Sequence, residues 1–484
     1  MTFNSFGFLV LFPVVLLLYF TLPKKVRPVM LLAASYYFYM AWNFKLIFLI
    51  LFTTAVSYAC ALIIEKSEKQ SVKKWCLTVT LIVCLGVLFF FKYWGFLTDT
   101  ASSVVRLFGG TPGDWSLELI LPVGISFYTF QTLSYAIDVY RGTVKAEHNF
   151  MWYALFVSFF PQLVAGPIER PDNLLPQLKE THEPDIENFS LGLQKMAVGF
   201  FKKIVVADLL AGYVNAVYNN VNEATALSVV IATVLFAVQI YCDFSGYTDI
   251  AIGCARMMGI RLMQNFNRPY TARSIRDFWD RWHISLSTWL RDYLYIPLGG
   301  NRVSRPRYYF NLMVVFLASG LWHGADWTFV LWGAVHGIFR IVGSLTRKPR
   351  ERLWESLGVR KDALWLVLLQ KVNTFALVCF AWIFFRANSI ADLSVIFSRL
   401  FGAGSWSVSE TMTVMGLNTA AIIVTVLSIL VLSLLDRVMS RAELETADVA
   451  SRRMTTVLLV WTVAVAWILL LSVGGASSFI YFQF

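Results

Sequence analysis

The sequence predicts an all-α polytopic membrane protein, and three observations predict it. Apolar residues make up 57% of the 484-residue chain and charged residues only 15%, against about 25% charged in a soluble protein. The mean hydropathy is +0.62. Apolar runs of membrane-spanning length recur along the whole chain, so the shortage of charge does not come from a single anchor.

The runs fall at 6–22, 28–44, 46–64, 76–95, 118–139, 150–166, 194–218, 226–255, 308–342, 363–385, 418–435 and 455–473. Some are short and some overlong, which predicts about 11 transmembrane helices plus amphipathic or re-entrant helices. No basic residue precedes the first run, and Lys24, Lys25 and Arg27 follow it. A cleaved signal peptide has the opposite charge order, so this run is a retained first span. Aromatic residues cluster at segment ends, as in Tyr36-Tyr37-Phe38-Tyr39 and Tyr93-Trp94, the pattern of an interfacial belt.

Charge orients the spans. Lys66, Lys69, Lys73 and Lys74 follow the third run, and Arg141 and Lys145 the fifth. The loop expected at 96–118 carries Arg106 against Asp99, Asp114 and Glu118. The positive-inside rule then puts the N-terminus outside. The same rule puts Arg437, Arg441, Arg452 and Arg453 in the cytoplasm and the C-terminus outside. The net charge of +11 would draw an anionic soluble ligand to the cytoplasmic face. No basic stretch stands apart from a membrane segment, so nucleic acid is not a partner.

Between these spans, Gly166-Pro167-Ile168-Glu169-Arg170-Pro171 stops a helix twice, because each proline lacks a donor and disfavours helix at the residue before it. No internal repeat and no linker interrupts the chain, which reads as one membrane domain, 1–484. Its parts are N-terminal spans (1–117), a motif-bearing core (118–342) and C-terminal spans (343–484). Cys60, Cys76, Cys84, Cys242, Cys254 and Cys379 all lie in apolar sequence without metal-ligand spacing. They read as buried free thiols, with no metal site.

The chemistry-bearing residues are histidines in apolar surroundings. His323 lies within Tyr308–Phe339, where Asp326 is the one acidic residue. An ionisable group at membrane depth is a functional candidate. Gly320 and Gly324 flank Trp322-His323 and let the backbone bend or be approached closely. Asp326, three residues on, would share a helical face with His323 and orient its imidazole. A second Trp-His pair, Trp282-His283, sits in the segment 266–310. There Arg268, Arg273, Arg276, Arg281, Arg291, Arg302, Arg305 and Arg307 face Asp277, Asp280 and Asp292. Trp282, Leu286, Trp289 and Tyr293 follow helical spacing, as in a helix lying on or dipping into the membrane.

Gln239, Asp243 and Asp249 interrupt the run 226–255. Arg256, Arg261 or tyrosine hydroxyls would partner the two aspartates. Their role is either a network gluing helices or the wall of a polar tunnel. His336 reads as structural, and His148 and His182 as solvated loop residues. There is no serine-nucleophile elbow, phosphate loop or zinc-protease motif. A buried imidazole with a second imidazole nearby suits abstraction of a hydroxyl proton. That hydroxyl would then attack an acyl thioester in a site that excludes water.

Trp322-His323-Gly324, together with the block Phe278-Trp279-Asp280-Arg281-Trp282-His283-Ile284-Ser285-Leu286-Ser287, resembles the membrane-bound O-acyltransferase (MBOAT) family. Four further blocks resemble its bacterial polysaccharide O-acetylation branch, whose namesake is alginate O-acetylation. They are Pro161 to Arg170, Asp243 to Ala251, Tyr295 to Gly300 and Gly324 to Thr328. The resemblance spans essentially the whole chain, most strongly from about 118 to 340. The D-alanyl-transfer branch is less similar.

The resemblance implies helices around a central funnel or tunnel, with His323 at its constriction. His283 is the family's earlier histidine. Trp322, Gly324, Asp326, Trp282, Gln239 and Asp243 would line the path. It also implies a bacterial inner-membrane location and transfer from a cytoplasmic thioester, acetyl-CoA, with no bound cofactor. The acetyl group crosses the membrane to an extracytoplasmic acetyltransferase partner that modifies an exported polysaccharide. Membrane lipid and the polysaccharide export machinery are the other partners. His323 is either a base or a transient acyl carrier, and His283 either catalytic or tunnel-lining. We favour His323 as base and His283 in donor binding or relay. A non-catalytic glycan or lipid flippase is the competing class, but it has no need of paired Trp-His motifs.

Overall fold

The structure, a computed structural model, describes residues 1–442 apart from positions 114, 116, 118, 120, 165 and 403, and the described residues are all helix, turn and loop. The span expected at 455–473, Arg452, Arg453, the side chain of Arg441, the C-terminus, Asp114 and Glu118 lie outside the described residues. Six described helices are long and apolar enough to cross a membrane: Phe44–Lys66, Gln70–Leu107, Ala226–Met257, Trp327–Ser356, Leu364–Arg386 and Thr419–Arg437. Phe6–Thr21 is a shorter apolar helix. The chain folds as two compact units, one of Met1–Met196 with Thr248–Met263, the other of Ala197–Tyr247 with the chain from Gln264 onward.

In the first unit the helix Ile47–Lys66 packs on Gln70–Leu88 and on Ile125–Arg141. Thr53, Ser57, Thr80 and Thr132 are buried in these helices, and each hydroxyl donates to a carbonyl one turn back in its own helix. Small hydroxyl residues let apolar helices approach closely without an unsatisfied donor.

Several boundaries differ from those read in the sequence, and each has a local cause. The run 76–95 does not end in a loop. Its helix continues through a widened turn at Phe89–Tyr93 into Trp94–Leu107. Nothing between 96 and 107 stops it, and the first breakers are Gly109, Gly110 and Pro112. The run 118–139 becomes helical only at Ile125, after Gly124 at φ 74°. The run 150–166 breaks at Phe159, just ahead of Pro161. The extended segment from Gly166 carries Glu169, whose carboxylate is fully buried. It accepts from the Met263 backbone N–H and from Asn173 Nδ2, at 2.5 and 2.7 Å. Burial pushes Glu169 up to about 7. Asp249, in the same unit, pairs with Lys195 at 3.3 Å.

The second unit has an aromatic core. Trp282, Trp332 and Trp382 are the largest fully buried side chains described in it, and Tyr218, Phe236 and Phe385 are fully buried with them. The helices Arg305–His323 and Trp327–Ser356 form an antiparallel hairpin, and Leu364–Arg386 packs on the second of them. Gly320 and Gly333 make the hairpin close. A Cβ at Gly320 would strike the Phe329 carbonyl, and one at Gly333 the Phe316 carbonyl.

Candidate functional site

The two Trp-His pairs meet in the second unit. His323 is the last residue of its helix, and the chain is extended at Gly324 before the next helix starts at Trp327. Gly324 is required at this turn, because a Cβ would fall inside the Phe329 ring. His323 is 2% exposed. Trp322 and Trp332 lie 5.0 Å from its ring centre, Phe385 5.4 Å and His283 6.1 Å, all edge to face. Aromatic quadrupoles favour that arrangement.

His283 reaches the cluster by another route. One helical turn, Ile275–Trp279, ends at Asp280, and a second helix runs Ile284–Leu290. Between them His283 takes the left-handed conformation, φ 44° and ψ 54°. Holding a non-glycine residue there costs on the order of 1–3 kcal/mol and needs surroundings that enforce it. Two backbone bonds do so: Asn267 N–H to Arg281 O and Ile284 N–H to Asn265 O, both 2.9 Å. The His283 ring is fully buried, 4.7 Å from Phe244 and 5.4 Å from Trp322. Its Nδ1 lies 3.1 Å from Asn265 Oδ1. Burial pushes its pKa down to about 3, so the ring is neutral near neutral pH.

The predicted stripe of Trp282, Leu286, Trp289 and Tyr293 is therefore not one helix. The left-handed His283 interrupts it, although the first three of these side chains are buried. The Arg–Asp pairing along the segment is present: Arg281 with Asp277 at 2.6 Å, Arg291 with Asp292 at 2.7 Å, and Arg276 with Asp280 at 3.9 Å.

Asp326 does not play the expected part. The helix ends at His323, so the three-residue spacing no longer defines a shared face. The Asp326 carboxylate instead caps the next helix, accepting from Thr328 N–H at 2.8 Å. The neighbour of Asp243, Phe244, packs against the cluster. The Asp243 carboxylate pairs with Lys203 at 2.7 Å, and Lys203 also pairs with Asp208 at 2.9 Å. Lys202 pairs with Asp436 at 2.8 Å, and Tyr241 Oη donates to Asp436 at 2.7 Å. Both lysines are buried. Asp243, expected to pair with an arginine or a tyrosine hydroxyl, thus has a lysine partner from the apolar run 194–218. Gln239 lies one turn before Asp243 on the same helix, buried.

His336 accepts from Trp279 Nε1 at 3.3 Å and stands 4.9 Å from Trp332. It belongs to the aromatic packing, as the sequence indicated. His148 is an exposed loop residue paired with Glu65 at 2.6 Å. His182 is half-buried, and its Nε2 lies 2.8 Å from the Gln177 carbonyl. All six cysteines are buried and free.

The sequence reading missed Asn265, Lys202 and Lys203. The lysines had a signal: two adjacent cations in an apolar run require acids, and Asp243 was already in need of a partner. Asn265 gave none, because a loop amide has no periodicity.

Two arginine-bearing cavities lie in this unit, and the first adjoins the pair. One, of about 540 Å³, is bounded by Arg276, Arg291 and Arg340 and reaches Ile284, Phe316 and Ser319. Ser319 is one helical turn before His323, and Ile284 adjoins His283. The second, of about 650 Å³, shares Arg276, Tyr308 and Arg340 with the first. Its lining adds Arg273, Arg347 and Arg350 and contains no carboxylate. Such a surface favours phosphate or carboxylate groups.

Residues 31–354 match the model of MBOAT, the membrane-bound O-acyltransferase family. A Pseudomonas aeruginosa protein named "Probable alginate O-acetylase AlgI" is 41% identical over 85% of this chain and 76% of its own length. The Pseudomonas putida protein of the same name is 36% identical over the full length of both chains. The Helicobacter pylori "Peptidoglycan O-acetyltransferase" is 36% identical over 77% of this chain and 73% of its own. The chain belongs to the membrane-bound O-acyltransferase family, as a multi-pass membrane O-acyltransferase.

Proposed function

We propose that this protein passes an acetyl group from a cytoplasmic thioester, acetyl-CoA, across a bacterial inner membrane for O-acetylation of an exported polysaccharide. Alginate is one candidate polysaccharide. An extracytoplasmic acetyltransferase receives the group, the N-terminus faces outward, and membrane lipid and the export machinery surround the protein. The observation that carries this reading is the meeting of His283 and His323, forty positions apart in sequence, with ring centres 6.1 Å apart inside a buried aromatic cluster. The arginine-lined cavities suit an anionic donor, and the relatives' names support acetyl transfer to a polysaccharide.

His323 acts as the base. As the acceptor oxygen bonds to the acyl carbon, its proton passes to the imidazole. The carbon–sulfur bond breaks and the departing thiolate takes that proton, leaving an ester and a free thiol. His283 supports donor binding or relays the proton. Burial excludes water, which would otherwise hydrolyse the thioester.

The test is polysaccharide O-acetyl content in cells carrying His323→Ala, with membrane protein level measured in parallel. Loss of acetylation at normal protein level supports the reading. Near-wild-type acetylation overturns it and points to a flippase or scaffold.

A further inference from the structure

We infer that Asn265 is a positioning residue that locks His283 in its Nδ1–H tautomer, making Nε2 the single basic nitrogen that His283 offers to the cluster shared with His323. The inference rests on the acyl-transfer reading above for its functional meaning, but its structural content stands alone.

One oxygen fixes the tautomer. Asn265 is 1% exposed. Its Oδ1 has three neighbours: the Ser285 backbone N at 3.2 Å, Ser285 Oγ at 3.0 Å and His283 Nδ1 at 3.1 Å. An asparagine side chain has two ends that look alike, and only the hydrogen-bond network distinguishes them. Here the network decides. A backbone N–H can only donate, so the end of the amide facing Ser285 must be the carbonyl oxygen. Turning the amide over would set two donors against each other in a buried site. The same oxygen faces His283 Nδ1. An amide oxygen only accepts, so Nδ1 must carry a proton. In a neutral imidazole the other nitrogen then holds the lone pair.

The backbone enforces the same arrangement. The Ile284 N–H donates to the Asn265 carbonyl at 2.9 Å, so Asn265 holds the residues on both sides of His283 by main chain and side chain together. These bonds keep His283 in its left-handed conformation, which directs the ring toward Phe244 and Trp322. The low pKa noted above agrees with a neutral ring. Asn265 therefore differs from a carboxylate partner, which would also accept from Nδ1 but would raise the pKa of the ring.

The experiment uses the full chain in nanodiscs, labelled with 15N and 13C histidine, with His283→Gln for assignment. We expect the His283 signals to show a protonated Nδ1 and an unprotonated Nε2. An Nε2–H tautomer in the wild type overturns the proposal without any further variant. Turnover is read as thiol release from acetyl-CoA. Asn265→Ala lowers kcat about 100-fold, the low end of what a positioned proton acceptor contributes, with little change in the donor KM. Asn265→Asp keeps the acceptor and restores much of the rate. Its carboxylate raises the pKa of His283 and moves the acid limb of the pH–rate profile to higher pH, a shift that a purely structural role would not produce. Wild-type turnover in Asn265→Ala with an inactive His323→Ala overturns this proposal and leaves the acyl-transfer reading intact. Wild-type turnover in both variants overturns the reading itself.

Discussion

The two Trp-His pairs are alike in sequence and are held in opposite ways. His323 closes a long helix and is fixed by ring edges from Trp322, Trp332 and Phe385. His283 precedes a short helix in a left-handed conformation and is fixed by hydrogen bonds to Asn265 and its neighbours. Ring packing confines where an imidazole sits. A hydrogen bond to one nitrogen also dictates which nitrogen carries the proton. The same dipeptide thus yields one histidine defined by shape and another defined by its protonation pattern.

Breaking the comparison at its centre should have the largest effect. His323→Ala is expected to lower acetyl transfer about 1,000-fold while leaving membrane protein level unchanged, within the range for loss of a general base. Polysaccharide ester content and immunoblotting read both quantities together. His283→Ala is expected to cost about 100-fold, mainly in kcat; a loss confined to the donor KM would assign it to binding alone.

Two variants sharpen the comparison by leaving both imidazoles in place. Gly324→Ala puts a methyl group into the Phe329 ring and should destabilise the hairpin by about 1–3 kcal/mol, as overpacking does. A thermal melt in detergent measures it, and an unchanged melting point would show that the turn can shift. Arg347→Gln, in the acid-free cavity, should raise the donor KM about 10-fold with kcat unchanged, the size of one charge-assisted hydrogen bond. The wild-type KM should also rise with ionic strength, and a salt-independent KM would remove the cavity from donor binding. The smallest effect is expected from His336→Gln. The glutamine can still accept from Trp279, and acetylation should stay within about 2-fold of wild type, because such a swap costs no more than one neutral hydrogen bond.

The sequence made the fold class legible because membrane helices announce themselves by composition. The histidine pair was legible because a repeated Trp-His in apolar sequence is costly unless used. Asp326 was misread because a helical spacing was carried past Gly324, where the helix had already ended. The lysine partner of Asp243 was not foreseen because Arg256, Arg261 and tyrosine hydroxyls stood near it in sequence, and pairing in a folded core follows distance in space. Asn265 was illegible because its importance lies in three hydrogen bonds to one atom, and those bonds exist only once residues 265 and 283–285 are brought together.

The buried lysines bear on how the chain is made. Lys202 and Lys203 leave the ribosome in an apolar stretch long before Asp436, and before Asp243, has been synthesised. An uncompensated ammonium group is expensive in lipid. Lys203 has Asp208 beside it in the same stretch from the start, whereas its pair with Asp243 and the pair of Lys202 with Asp436 form only when those later helices arrive. The ion pair that joins Lys202 to Asp436 can form only once the helix Thr419–Ala442 has been made, so this contact belongs to the last steps of assembly.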